Sequence, residues 1–207
     1  MSRISVAVLF FVLAIVPLRA ETIKLLALGD SLTAGLGLDL SEAFPAQLEN
    51  ALRANGHDVV VINAGVSGDT ALQGAERLDW VLTDDVDVVL VELGANDALR
   101  GLPVKQAEAA LDRIISKLVA KKLPTLLLGM KAPPNLGPEY GQEFDGAYSR
   151  LAQKHGVALY GFFLEGVAAN PALNQADGIH PTAEGVTVIV GKLLPDVEKL
   201  LKHRTAK

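Results

Sequence analysis

Four short segments, far apart in the chain, carry the residue types needed to hydrolyse an ester. The segments are 29–32, Gly68, 94–97 and 177–180. Ser31 can act as a nucleophile, His180 as its base, and Asp177 as the acid that orients the base. The backbone N–H groups of Ser31 and Gly68, with the side-chain amide of Asn96, can hold the negative oxygen that forms during attack. The residue types therefore predict acyl transfer to a serine.

The run Asp177-Gly178-Ile179-His180 suits an imidazole base. Pro181 biases His180 toward extended backbone, which keeps the ring at the start of the last predicted helix instead of inside it. Asp177 lies across a glycine turn and can accept the Nδ1 proton, so Nε2 is left for the serine. The alternative is a turn aspartate beside a surface histidine. The other histidines are interpreted as structural: His57, His155 and His203.

Ser31, Gly68 and Asn96 each have a simpler structural interpretation. Ser31 stands between an apolar run and a helix start, where free N–H groups favour negative charge, but a serine there can also just cap the helix. Gly68 lacks a Cβ, so its N–H can approach a reacting oxygen, whereas the alternative is an ordinary loop glycine. Asn96 is either a donor or a turn residue. Three neighbouring polar residues are interpreted as helix-cap and loop residues outside the chemistry: Asp69, Thr70 and Asp97.

Alternating strands and helices explain how these residues could meet. Short apolar runs predict strands at 23–28, 59–62, 86–93, 125–128 and 157–160. Stretches of helical period predict helices at 45–55, 70–82, 104–121, 141–155 and 181–202. This alternation favours a parallel sheet covered on both faces. Ser31, Gly68 and Asn96 follow the first three strands, so all three should lie at the carboxyl edge of the sheet, where ligands bind in such folds.

The first 20 residues have the features of a secretory signal peptide. Arg3 precedes an uncharged apolar run that ends at Leu18, which is short for a membrane span, and Ala20 is a suitable residue before a cleavage site. We expect cleavage after Ala20, with a retained anchor as the alternative, and one domain over 21–207. Cleavage removes two arginines and no acidic residue, so the mature chain is more acidic than the full chain, whose formal net charge is −5. Such a charge does not favour nucleic acid, and there is no cysteine for a disulfide.

Taken together and in order, the segments resemble the blocks of the SGNH, or GDSL, hydrolases. These blocks are Gly29-Asp30-Ser31-Leu32, Gly68, Gly94-Ala95-Asn96-Asp97 and Asp177-Gly178-Ile179-His180-Pro181. Within the family, the runs at 67–70 and 91–101 are most similar to the secreted bacterial thioesterase I, lysophospholipase and arylesterase group. The resemblance implies a three-layer α/β/α sandwich with a five-stranded parallel sheet in the flavodoxin-like arrangement.

The resemblance also implies the role of each site residue. Ser31 would be the nucleophile, His180 the general base and then acid, and Asp177 its orienter. The oxyanion hole would comprise Ser31, Gly68 and Asn96. No cofactor or metal is implied. The substrate would be a small acyl ester or thioester, with lysophospholipid among the candidates, handled by a periplasmic or secreted monomer without stable membrane insertion after signal cleavage. Two departures, Ala95 and the run 131–134, leave the chain-length preference open.

The same residues are also compatible with two other classes of protein. Asp30, Asp177 and His180 could be ligands of a metal-dependent phosphoesterase, although no further ligand cluster has convincing spacing. A noncatalytic binding module on the same fold is the second alternative. Residues 65–69 miss the last glycine of the G-x-S-x-G nucleophile turn, so Ser31 is predicted as the nucleophile in preference to Ser67.

Overall fold

The structure is a computed structural model, and it describes residues 22–203. The signal peptide predicted over 1–20, and its cleavage, lie outside the described residues. The elements of the described part, in chain order, are β1 (Ile23–Gly29), α1 (Ser31–Ala34), α2 (Phe44–Ala54), β2 (Val59–Gly65), α3 (Ala71–Val81), β3 (Val88–Glu92), α4 (Ala95–Leu99), α5 (Val104–Ala120), β4 (Thr125–Leu128), a 3₁₀ turn (Pro134–Leu136), α6 (Pro138–His155), β5 (Ala158–Tyr160) and α7 (Ala183–Leu201).

The strands of the described part form one parallel sheet in the order β2-β1-β3-β4-β5. This is the flavodoxin-like order. The chain places β2 on one side of β1 and then adds β3, β4 and β5 in turn on the other side. Helix α2 packs against α7, while α5 packs between α3 and α6. The predicted three-layer arrangement with a five-stranded parallel sheet is confirmed.

The centre of the sheet is apolar on both faces. In β1, Leu25, Leu26 and Leu28 are completely buried, and Val88–Val91 of β3 are completely buried as well. Each such side chain contributes about 1.5–3 kcal/mol when it leaves water. The two strands that precede the serine and asparagine segments are therefore anchored in the core of the fold.

At the helix starts, the structure agrees with the sequence-based prediction for α3 and differs from it for α7. Thr70 caps α3 together with Gln73, and this is the cap role predicted for the 69–70 pair. Helix α7 begins at Ala183, because the Thr182 side chain accepts the Gly185 N–H and caps it there. The start predicted at Pro181 is therefore wrong by two residues. Pro181 instead pairs with Asn174 in an isolated antiparallel bridge.

No helix within residues 22–203 is both long enough and apolar enough to cross a membrane.

Candidate active site

The residues singled out from the sequence meet at the carboxyl edge of the sheet. Ser31 follows β1, Gly68 follows β2, and Asn96 lies in α4 just after β3. His180 reaches the same place from the loop that precedes α7. All four line one cleft of about 510 Å³. Residues that are up to 149 positions apart in sequence thus become neighbours.

Ser31 is almost completely buried and its hydroxyl faces the imidazole. Its Oγ lies 2.9 Å from His180 Nε2. The preceding residue, Asp30, caps the one-turn helix α1 by accepting the Leu32 N–H at 3.0 Å. The cap role that the sequence left open for Ser31 thus falls to Asp30. With α1 only four residues long, its N-terminus offers free N–H groups and a small dipole at most.

Asp177 holds His180 by its side chain and by its backbone. Asp177 Oδ2 lies 2.6 Å from His180 Nδ1, and Oδ1 accepts the N–H groups of Ile179 and His180 at 2.9 and 3.0 Å. The hydrogen bond with the His180 ring, supported by those backbone donors, lowers the pKa of Asp177 from 3.8 to about 2. Gly178 has φ +71°, the left-handed conformation that glycine adopts without strain. An ionised acid therefore fixes the ring with Nε2 toward the serine.

The backbone around His180 is also anchored. The His180 carbonyl accepts the Gln175 N–H at 2.7 Å, and the Thr182 N–H donates to Leu173 at 3.0 Å. These bonds flank the Asn174–Pro181 bridge. His180 therefore lies in an anchored loop just before α7 and outside the helix, as the proline after it predicts.

The backbone N–H groups of Ser31 and Gly68 lie at the cleft and have no hydrogen-bond acceptor within the described part of the chain. Gly68 has φ +89°. Two side chains hold its loop, because Arg100 donates to the Gly68 carbonyl at 2.7 Å and Asp97 accepts the Ala71 N–H at 2.8 Å. The sequence predicts that Asp97 fixes its own loop, and the structure shows that it also bonds to the start of α3. The two free donors, together with the Asn96 amide, can hold an oxyanion.

Sequence reasoning missed a buried acidic pair beneath the serine. Asp30 Oδ2 accepts a hydrogen bond from Asn96 Nδ2 at 3.0 Å. Glu92, at the end of β3, accepts from Thr33 Oγ1 at 2.7 Å and from the Asp30 N–H at 3.2 Å. Burial raises the pKa of Asp30 to about 6 and raises that of Glu92 well above its usual value. The available signal was a charged residue ending the apolar run Val88-Val89-Leu90-Val91-Glu92.

Most of the cleft wall is apolar. Leu32, Leu36, Leu99, Met130 and Leu164 line it together with the ring of Phe162. The ammonium of Lys131 lies 5.0 Å from the centre of that ring. Residues 131–134, one of the two departures noted in the sequence, lie along the cleft wall. Such a lining suits a hydrocarbon chain next to the polar site.

The remaining candidates lie elsewhere or lack partners. His155 pairs with Asp112 at 2.6 Å and His57 with Glu198 at 3.4 Å, both away from the cleft lining. Ser67 lines the cleft, but within residues 22–203 it has no histidine partner. In the same range, no three histidine, aspartate or glutamate side chains are grouped to hold a metal ion.

Residues 27–188 match the model of the GDSL-like Lipase/Acylhydrolase family. The chain is 39% identical to an arylesterase of Vibrio mimicus over 98% of this chain and 100% of the relative. It is 37% identical to thioesterase 1/protease 1/lysophospholipase L1 of Escherichia coli K12, over 94% of this chain and 93% of that one. The crystal structure of AlinE4, an SGNH-hydrolase family esterase, is 49% identical and superposes with a TM-score of 0.74, covering 88% of this chain and 98% of that one.

Proposed function

Because the chain belongs to the GDSL-like lipase/acylhydrolase family, we propose that Ser31, His180 and Asp177 are its catalytic residues, with an oxyanion hole formed by Ser31, Gly68 and Asn96. The protein is a serine esterase that acts on small acyl esters. One geometric observation carries the proposal for the residues. His180 Nε2 lies 2.9 Å from Ser31 Oγ, and His180 Nδ1 lies 2.6 Å from Asp177 Oδ2. The three side chains therefore form one continuous hydrogen-bonded chain.

In the first step, His180 Nε2 takes the proton of Ser31 while Oγ attacks the carbonyl carbon of the ester. Asp177 stabilises the imidazolium that results, because its carboxylate is ionised and bonded to Nδ1. The product of this step is a tetrahedral intermediate with a negative oxygen.

The developing oxyanion is held by donors already directed at the cleft. The free N–H groups of Ser31 and Gly68 supply two hydrogen bonds, and Asn96 Nδ2 supplies a third while its other hydrogen stays with Asp30. Prearranged donors stabilise the transition state because they need no reorganisation during the reaction.

Collapse of the intermediate breaks the ester bond, and His180 gives its proton to the leaving alcohol or thiol. The acyl group remains on Ser31. His180 then takes a proton from water, which attacks the acyl carbon, and the second intermediate releases the acid and restores the serine.

We extend the proposal to substrate and location. The apolar cleft supports acyl chains as the recognised part, so thioesters and lysophospholipids are candidates alongside simple and aryl esters. The apolar leader at 1–20 supports export to the periplasm or outside the cell, and we propose that the enzyme acts there as a monomer. Light scattering of the purified enzyme and sequencing of the exported N-terminus test these two points.

The test of the serine assignment compares two hydroxyls that line the same cleft. Ser31→Ala should lower kcat by roughly 10⁴–10⁶, whereas Ser67→Ala should leave it within about twofold. A fluorophosphonate should label the wild type and the Ser67→Ala variant but not Ser31→Ala. If purified Ser31→Ala retains more than about a tenth of the activity, Ser31 is not the nucleophile.

A further inference from the structure

Asp30 is a completely buried acid that takes part in no bond-making or proton-transfer step of the mechanism above. Its Oδ1 accepts the Leu32 N–H, and its Oδ2 accepts from Asn96 Nδ2. The second bond connects it to a side chain that points into the cleft. Asp30 is thus the one hydrogen-bond partner that Asn96 Nδ2 has among the described residues.

An ionised carboxylate can only accept hydrogen bonds, so it determines which way round the Asn96 amide lies. The NH₂ group must face Asp30, and its second hydrogen remains available to the cleft. If the amide were turned around, its carbonyl oxygen would face the cleft where the NH₂ group now lies. A carbonyl oxygen there would repel an oxyanion instead of donating to it.

Glu92 adds a second acid next to the first. It is buried in the sheet centre, and its Oε2 accepts the Asp30 N–H and the Thr33 hydroxyl. Its Oε1 is buried with no hydrogen-bond partner in the part of the chain that the structure describes. Two buried carboxylates so close together cannot both be charged without a large cost. Glu92 therefore takes the neutral form, which leaves the charge on Asp30.

We propose that Asp30 is a positioning residue for ester hydrolysis: its carboxylate holds the Asn96 amide with NH₂ toward the cleft, and the neutral acid Glu92 beneath it leaves that charge on Asp30. The inference rests on the proposed oxyanion role of Asn96. Protonation of Asp30 would release the constraint, because a carboxylic acid can also donate to the amide oxygen.

The charge state of Asp30 depends on the groups around it. From β3, Glu92 opposes its ionisation, as does Asp69 from the loop after β2, while His180 from the loop before α7 favours it when protonated. Burial is the largest effect and raises the pKa of Asp30 to about 6. Acidification below that value should therefore release the amide.

A double-mutant cycle separates positioning from a general structural role. Asp30→Asn keeps the helix cap, since asparagine caps as well as aspartate, but its NH₂ can turn the Asn96 amide around. We expect kcat to fall by about 10–100-fold with KM nearly unchanged, against roughly 10²–10³ for Asn96→Ala. In the Asn96→Ala background, Asp30→Asn should change kcat less than about twofold, because the group it positions is gone.

The matched control is Asp87→Asn. Asp87 also accepts a backbone N–H, that of Lys24 at 2.9 Å, but at the opposite edge of the sheet. This change should leave kcat unaltered in both backgrounds. Equal losses from Asp30→Asn with and without Asn96 would overturn the positioning role. Full activity of Asn96→Ala would instead overturn the oxyanion assignment on which it rests.

A direct measurement covers the case in which Asp30→Asn does not fold. The side-chain ¹⁵N signals of Asn96, assigned by their loss in Asn96→Ala, should titrate in the folded His180→Ala variant, where the imidazole cannot cause the change. The midpoint should lie at or above about 6, since removing the imidazolium removes a charge that favours ionised Asp30. Signals that stay fixed across the titration would contradict the proposal.

Discussion

At the scale of single residues, Asp177 combines exposure with strong hydrogen bonding. Its side chain is 44% exposed, yet both of its oxygens are occupied by donors from His180 and Ile179. A solvated carboxylate costs little to keep ionised, so the donors need not compensate for burial. The acid that we propose as the orienter of the base therefore stays ionised down to about pH 2.

Replacing this carboxylate by an amide should impair catalysis and leave the substrate cleft intact. Asp177→Asn can present an NH₂ group to Nδ1, which favours the wrong tautomer of His180, so kcat should fall by about 10³–10⁴ with little change in KM. Steady-state kinetics on a chromogenic ester measures this. Asp58→Asn, an exposed aspartate next to Thr22, is the control and should retain wild-type rates. Retention of kcat by Asp177→Asn would rule out its orienting role.

The dependence of rate on pH separates the base from its orienter. We expect kcat/KM to fall on acidification, because a protonated His180 cannot accept the serine proton. The pKa of Asp177 is lowered from 3.8 to about 2, so its contribution to stability is present above 3.8 and is lost only as the pH falls through about 2. At about pH 4 Asp177 should therefore still be ionised, so a loss of rate there does not come from the orienter; initial rates measure the loss, and circular dichroism checks that the protein is folded. A rate that stays flat down to about pH 4 would contradict a histidine base.

At the scale of elements, the strands of a parallel sheet gather the site, and their positions were readable from short apolar runs. The structure has all five strands within a few residues of the predictions, and Ser31, Gly68 and Asn96 follow the first three as expected. A helix start at Ser31 was expected, but the length of the one-turn helix α1 was not, and α4 was not predicted at all, because four or five residues carry no period to detect. The contacts of Asp30 with Asn96 and Glu92 join residues more than 60 positions apart, which local patterns cannot reveal.

Two glycines with nearly equal φ angles lie at opposite ends of β2. Gly68 has φ +89° at the cleft, and Gly56 has φ +88° in the turn before β2, at the other edge of the sheet. Alanine is strained at either position, so each substitution should cost about 1 kcal/mol of unfolding free energy. Only Gly68→Ala should also lower kcat, by about tenfold to a hundredfold, because it displaces an oxyanion donor. Equal kinetics for both variants would exclude the Gly68 N–H from the oxyanion hole.

At the scale of the whole molecule, a buried acid in the central sheet makes global stability depend on pH. Burial raises the pKa of Glu92 well above 4.5. A carboxyl whose pKa is raised on folding contributes stability below its unfolded value, and this contribution is lost as the pH rises through the folded value. The free energy of unfolding should therefore decline on the alkaline side.

Glu92→Gln should remove that decline. Glutamine can still accept from the Thr33 hydroxyl and the Asp30 N–H through its oxygen, but it does not ionise. Urea unfolding of the wild type and the variant from about pH 5 to 9 should give curves that diverge as the pH rises, with the variant the more stable at the alkaline end. Parallel curves would show that Glu92 does not ionise in the folded protein over this range.

The distance of 149 positions between Ser31 and His180 has a consequence for biosynthesis. The hydroxyl lies just after the first strand of the described fold, and the imidazole lies just before its last helix. A ribosome must therefore complete most of the polypeptide before the two can meet, and a chain interrupted after α6 contains the hydroxyl without its imidazole. Fragments divided between α6 and α7 should each be inert, and hydrolysis should appear only when the two are mixed and associate.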